Sequence, residues 1–230
     1  MRTTFRIAAA VAFSLALSGC ITLMPKTKPV QMYRFGYLPE TLDKTALPAV
    51  AGLGMAPAPV VLGMINFPQD SSSDRVTTIE NSEVSYVASA RWTAPAEELF
   101  SEAVSEGFAR SADSVRLVSR GPSAGDFRLD ITVRQFETVY HHGRPTVSVA
   151  FDARLIRLSD RAVVGERFIT SDIGVGHNDM SLTVDAYNKA TTESVAGLIG
   201  FTETTMAAQA GVATPSPEQP SDGKQHVEGL

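Results

Sequence analysis

The chain has a single cysteine, Cys20, in 230 residues, one tryptophan, four histidines, and aromatics amounting to only 7%. A lone thiol leaves no partner for a disulfide, so any stable domain must be held by a packed core. No His-x-x-x-His pair and no paired cysteines provide zinc-type spacing, and no Gly-x-Ser-x-Gly elbow presents a serine nucleophile. An excess of positive charge is also missing. The formal charge is −5, which argues against binding nucleic acid through bulk electrostatics. The glycines of Gly52-Leu53-Gly54 open no helix and have no lysine placed to meet a phosphate, so a nucleotide loop is excluded as well.

The chain does have an ordered N-terminal signal. Arg2 and Arg6 form a positive start, and Ile7 to Leu17 is an apolar run of 11 residues, too short for a stable membrane span. It ends in Leu17-Ser18-Gly19-Cys20, small and aliphatic residues leading to the cysteine, the pattern of a bacterial lipobox. An ordinary secretory signal would carry a small-x-small cleavage site, which Leu17-Ser18-Gly19 does not offer. Residues 1–19 are therefore expected to be a lipoprotein signal peptide. Cys20 is the expected lipid attachment site, carrying a diacylglycerol and an N-acyl lipid, and no other cofactor is expected. That use of the only thiol removes cysteine catalysis. Loss of Arg2 and Arg6 with the signal takes the formal charge from −5 to −7.

Residues 20–32 contain Pro25, Lys26, Lys28 and Pro29 without periodicity and are read as a tether. Thirteen steps separate Cys20 from Tyr33, so at about 3.3–3.6 Å per residue the folded part stands no more than roughly 45 Å from the lipid. Ile21 rather than Asp follows the cysteine. By analogy with lipoprotein sorting signals, the outer membrane is favoured over the inner, with the domain facing the periplasm.

A single domain is expected over residues 33–206. Met32 to Tyr37 is read as a first strand, Pro39 to Pro59 as a loop or linker, Val60 to Asn66 as a buried strand, and Pro68 to Asp74 as the turn that ends it. Arg75 to Ile79 and Val84 to Trp92 read as a hairpin, with Val84, Tyr86, Ala88, Ala90 and Trp92 on one face. Thr93-Ala94-Pro95 followed by Glu97 and Glu98 is a helix start, with Thr93 as the capping hydroxyl. The stripe Ala96, Leu99, Phe100, Ala103, Val104, Gly107 and Phe108 predicts the buried face of that helix.

A short strand near Val115 to Val118 follows, then a turn at Gly121 to Gly125. A long strand comes next, with Phe127, Leu129, Ile131 and Val133 on one face. The alternation then shifts to Phe136, Thr138 and Tyr140, which predicts a bulge at Arg134 or Gln135. Val147 to Leu155 and Ala162 to Thr170 complete an antiparallel meander. Met180 to Met206 predicts a long helix whose inner side carries Tyr187, Ala190, Thr191, Ser194, Val195, Leu198 and Ile199. Residues 207–230, with three prolines and little that is apolar, are expected to be a disordered tail. The expected fold class is α+β: an antiparallel sheet with two long helices packed on one face.

The lipobox, the Tyr33-Arg34-Phe35 strand, the Tyr86 to Trp92 strand running through Pro95 into Glu97-Glu98-Leu99, the meander and the late helix together resemble the ABC-type transport auxiliary lipoprotein family. The likeness runs from Cys20 to about Met206, and Tyr86, Trp92 and Pro95 at Tyr-x5-Trp-x2-Pro spacing are its most specific part. The alanine- and proline-rich stretch from Leu47 to Pro59 and the long tail depart from it. The resemblance implies a non-catalytic, periplasm-facing accessory subunit of an ABC or MCE-type lipid transport system. Its partners would be an MCE-domain periplasmic protein with its ABC permease and ATPase, the membrane through the lipid, and a possible second copy of itself. A lipid carrier or an outer-membrane assembly factor is the alternative. Tyr86 and Trp92 are the candidates for a lipid or partner surface, against the plainer reading that aromatics at period two are core. His141, His142 and His177 are weighed as metal ligands and set aside, because adjacent histidines on a turn cannot both aim inward.

Overall fold

A computed structural model describes residues 29–38, 40, 56–118 and 125–212, and the compact unit considered below begins at Gln31. The signal, Cys20, the Gly52 to Gly54 stretch, most of the Gly121 to Gly125 turn and the tail beyond Val212 lie outside the described residues.

Eight strands form one sheet: β1 (Gln31–Tyr33), β2 (Ala58–Asn66), β3 (Arg75–Glu80), β4 (Glu83–Trp92), β5 (Val115–Val118), β6 (Phe127–His141), β7 (Arg144–Arg157) and β8 (Val163–Gly174). Two helices among the described residues, α1 (Ala96–Ser111) and α2 (Met180–Val212), complete the elements. The domain is α+β, and its meander β6-β7-β8 is antiparallel throughout. The register of β6 on β7 shifts between Val133 and Gln135, where the change of alternation predicts the bulge.

The sheet as a whole is mixed rather than antiparallel. On the side of β6 away from β7, β2 pairs in parallel with Phe127 to Thr132, and β3 pairs in parallel with Thr138 to Tyr140. β2 and β3 thus run in the same direction along successive stretches of β6, interrupted by the excursion through Pro68 to Asp74. Turn residues in that excursion are correctly read as ending a strand, but they do not reverse the chain. β5 adds in parallel outside β2, β4 pairs antiparallel with β3, and β1 pairs in parallel with Ala90 to Trp92 of β4.

The excursion also corrects the expected helix cap. Thr93 makes no capping bond; Pro95 is the N-cap and has no side-chain donor or acceptor to use. Instead the Ala96 and Glu97 N–H groups donate to the Ser73 and Ser72 carbonyls at 3.0 and 3.4 Å. Backbone from a distant loop thereby meets the orphan donors of the first turn. α2 is capped from its own sequence, with Asp179 Oδ1 accepting from Ser181 and Leu182 N–H at 2.9 and 3.1 Å. It runs to Val212, past the expected end at Met206, so residues 207–212 are helical and not tail.

The expected inner faces are buried without exception in α1 and at Tyr187 to Ile199 of α2. Val147, Val149, Phe151, Ala153 and Leu155 of β7 are likewise fully buried. Burying a side chain of this size contributes about 1.5–3 kcal/mol before entropy is counted. The two helices meet at Gly107, where a Cβ would lie 2.3 Å from Val195 Cγ1. The first strand is shorter than expected. After Tyr33 the chain leaves the sheet, yet Phe35 and Tyr37 stay buried, with Gly36 N–H donating to Asn188 Oδ1 (3.0 Å) and Tyr37 Oη to Ser111 Oγ (2.7 Å).

Candidate functional site

Tyr86 and Trp92 do not share a face. Arg75 pairs with Arg91 and Thr77 with Tyr86, so β3 advances two residues while β4 advances five. The odd surplus reverses the alternation within β4 and turns Trp92 away from the side on which Tyr86 points. Trp92 is 1% exposed. Its ring meets Phe35 and Tyr187 edge to face, each at 5.0 Å between centroids. Phe136 continues the cluster to Tyr187, Phe67 and Phe100, and Phe100 extends it to Phe151. Trp92 is therefore core and is withdrawn as a contact surface. Burial drives the Tyr187 hydroxyl strongly upward in pKa, despite a bond to Thr138 that opposes the shift.

Tyr86 is 38% exposed, with the Arg75 guanidinium 4.8 Å from its ring centroid. Val84, two residues earlier, is exposed as well. The hairpin tip between β3 and β4 is Asn81-Ser82, both at positive φ (48° and 69°), the two-residue turn that suits the twist of a hairpin. Beside this tip is a recess of about 450 Å³, lined among others by Glu80, Glu83, Tyr86, Tyr140 and Asn178. β6 delivers Tyr140 opposite Glu80. The Tyr140 hydroxyl donates to Asn178 Oδ1 at 2.9 Å, and its pKa is raised by burial first and by the Glu80 carboxylate second. Neither Glu80 nor Glu83 has a cationic partner among the described residues.

Tyr140, Glu80 and Glu83 escape sequence reading because Glu80 and Glu83 look like turn chemistry and Tyr140 like the end of an alternation. Only the parallel pairing of β3 with β6 brings them together. A hint was available in the neighbouring His142-Gly143 turn, whose positive φ values (51° and 74°) make it a second hairpin tip at the same end of the sheet. His141 and His142 are exposed there, and His177 is exposed before α2. Among the described residues no three His, Cys, Asp or Glu side chains converge as metal ligands.

A second recess, an open groove of about 550 Å³, lies between α1 and the β2–β5 edge, with Leu62, Phe108, Leu117 and Arg116 in its lining. Below the sheet surface the space that a carrier would need is occupied by the ring cluster around Phe136. No described helix is long and apolar enough to cross a membrane.

A crystal structure of protein XCC0632 from Xanthomonas campestris aligns with a TM-score of 0.61 at 23% identity, covering 79% of this chain and 99% of that one. A second crystal structure, of an uncharacterised protein, aligns with a TM-score of 0.58 at 10% identity and covers 75% of this chain and 98% of that one. At these identities the likeness is one of fold. No curated protein matches the chain. A family model matches residues 41–197, and over that span, which takes in the buried stripe of α1, the whole meander and the first half of α2, the chain belongs to the family of ABC-type transport auxiliary lipoprotein components.

Proposed function

We propose that this protein is a non-catalytic accessory subunit of an ABC transport system of the bacterial envelope, anchored by diacylglycerol and N-acyl chains on Cys20 and facing the periplasm. It docks onto an MCE-domain protein, which with a permease and ATPase moves lipid between membranes. The family membership supports the transport role. The observation that carries docking over lipid carriage is the filled interior: Phe35, Trp92, Phe100, Phe136, Phe151 and Tyr187 stack at 4.9–6.2 Å between centroids, leaving the recesses at the surface. A carrier would keep several hundred Å³ of enclosed apolar space for its cargo.

The reach of the anchor gives a second argument. A compact domain of this size has a radius of gyration of about 16 Å, so it cannot span an envelope from one membrane. A partner must carry lipid over the remaining distance. The residue after Cys20 favours the outer membrane, and a second copy of the chain is a further possible partner.

The test is crosslinking in cells followed by affinity purification of the wild type and of Cys20→Ser. The wild type is expected to incorporate palmitate and to recover an MCE-domain protein; the variant is expected to lose the label. Equal labelling of the two would refute the anchor. Recovery of no transport component, together with loss of envelope function in a His141→Ala, His142→Ala, His177→Ala triple variant, would refute docking and favour chemistry at the histidines.

A further inference from the structure

The direction in which β1 enters the sheet bears on how the domain meets its membrane. β1 is parallel to β4, with Gln31 opposite Ala90 and Tyr33 opposite Trp92. The N-terminal end of β1 thus lies on the side of Glu83 and the Asn81-Ser82 tip. From Ala90 to Glu83 is seven residues, or about 23 Å of strand. Cys20 precedes Gln31 by eleven residues, which reach up to roughly 40 Å. The tether is therefore long enough to cover that distance.

The tip end is suited to such a neighbour. β4 pairs with β1 only at Ala90 to Trp92, so Glu83 to Ser89 stands as an open edge among the described residues. Val84 (44% exposed) and Tyr86 project from it, and Leu182 (42% exposed) lies in the first turn of α2, just after Asn178. Tyrosine is a side chain of membrane interfaces, apolar in its ring and wet at its hydroxyl. The recess beside the tip sets the Tyr140 ring beside two carboxylates, Glu80 and Glu83, that have no cationic partner among the described residues, on the face of the sheet opposite the Tyr86 ring. Rings and carboxylates together recognise an ammonium group. The opposite end of the meander exposes Leu158 and Val163, but neither β1 nor a recess of this composition points there.

We propose that the tip end of the sheet, with Val84, Tyr86 and Leu182, rests on the phospholipid head-group layer of the membrane that holds the tether. Lipid ammonium groups enter the recess of Tyr140, Glu80 and Glu83. This rests on the anchor at Cys20 and deepens it by assigning the surface that the anchor presents. The opposite end, with Leu158 and Val163, then faces the periplasm.

The experiment uses the acylated full-length chain in vesicles of phosphatidylethanolamine and phosphatidylglycerol. Because Cys20 is acylated and is the only native cysteine, Ser82→Cys and Arg161→Cys each provide a unique site for a spin label. These residues sit in the tips at opposite ends and share the left-handed backbone that their turns require. Flotation of the vesicles tests the anchor separately: a wild-type chain that does not float overturns the anchor and the seating with it. With the protein bound, the label at position 82 is expected to lose accessibility to a water-soluble nickel relaxant several-fold relative to detergent, while that at 161 does not. Val84→Glu with Tyr86→Glu is expected to restore accessibility at 82 without abolishing flotation. Removing phosphatidylethanolamine is expected to reduce the protection.

Floating protein with both labels open to nickel, or with only position 161 protected, overturns the seating. Protection at 82 that appears only when an MCE-domain protein is added assigns the surface to a protein and overturns it too. Equal protection without phosphatidylethanolamine overturns the ammonium recess.

Discussion

The two ends of strand β4 have much the same composition and opposite fates. At one end Trp92 is locked between Phe35 and Tyr187; at the other, six residues away, Tyr86 is open to solvent with only Arg75 over its ring. Both are aromatics on a strand at an even spacing, which ordinarily means one face. The difference comes from three surplus residues in β4 between its pairings with Thr77 and Arg75. One end is thereby committed to stability, and the other is left available for contact.

The sharpest way to break this contrast is to truncate both rings. Trp92→Ala should cost about 3–5 kcal/mol in chemical denaturation, the range for a large aromatic removed from a core. Tyr86→Ala should change stability by no more than about 0.5 kcal/mol, as for an exposed site. Similar losses at the two positions would mean that the bulge does not separate them.

Glu203 ranks next. Its carboxylate is buried and accepts from Asp113 N–H, Ser114 N–H and Ser114 Oγ at 2.8, 2.7 and 3.0 Å, tying α2 to the start of β5. Glu203→Ala should cost about 1–3 kcal/mol because three part-buried donors lose a charged acceptor. Glu203→Gln keeps an acceptor oxygen and should recover most of that loss, as thermal unfolding would show.

A smaller effect is expected at Gly107, where two terms oppose each other. Alanine would favour the helix by about 0.5–1 kcal/mol. The added methyl would lie 2.3 Å from the buried Val195, and overpacking of that kind costs about 1–3 kcal/mol. The clash should win, giving a modest net loss of stability in Gly107→Ala, and a gain would show that α1 and α2 part easily.

The smallest effect depends on pH. Burial raises the Glu137 pKa above its ordinary 4.5, the Phe136 N–H bond opposes that shift, and Asp70 adds to it. A carboxyl whose folded pKa is raised binds protons more tightly when folded, so stability falls as pH rises from about 4.5 through the folded value. Glu137→Gln should therefore raise the melting temperature at neutral pH, and the gain should fade below pH 4.5. A pH-independent difference would point to packing instead.

Much of this was legible in the chain. Helical period placed all of α1's buried residues, strand period placed β7, and the break in alternation after Val133 marked the bulge in β6. The bulge in β4 left no such mark, because Val84, Tyr86, Ala88, Ala90 and Trp92 alternate without interruption. Its cause is the pairing with β3, which a single strand does not record. The cap of α1 was missed for a related reason: its acceptors are Ser72 and Ser73 carbonyls, and every residue has a carbonyl.

By itself the sequence determined most of the segments that become helix or strand and the buried faces of α1, of β7 and of α2 from Tyr187 to Ile199, because those follow from local periodicity and side-chain chemistry. It also carries Leu17-Ser18-Gly19-Cys20, the linear pattern on which the proposed anchor rests and which needs no fold to be read. Only the tertiary structure decided that β2 and β3 run parallel to β6, that Trp92 turns inward while Tyr86 does not, and that Glu80 meets Tyr140. These are relations between segments far apart in the chain, set by hydrogen-bond register and packing rather than by any one stretch of residues.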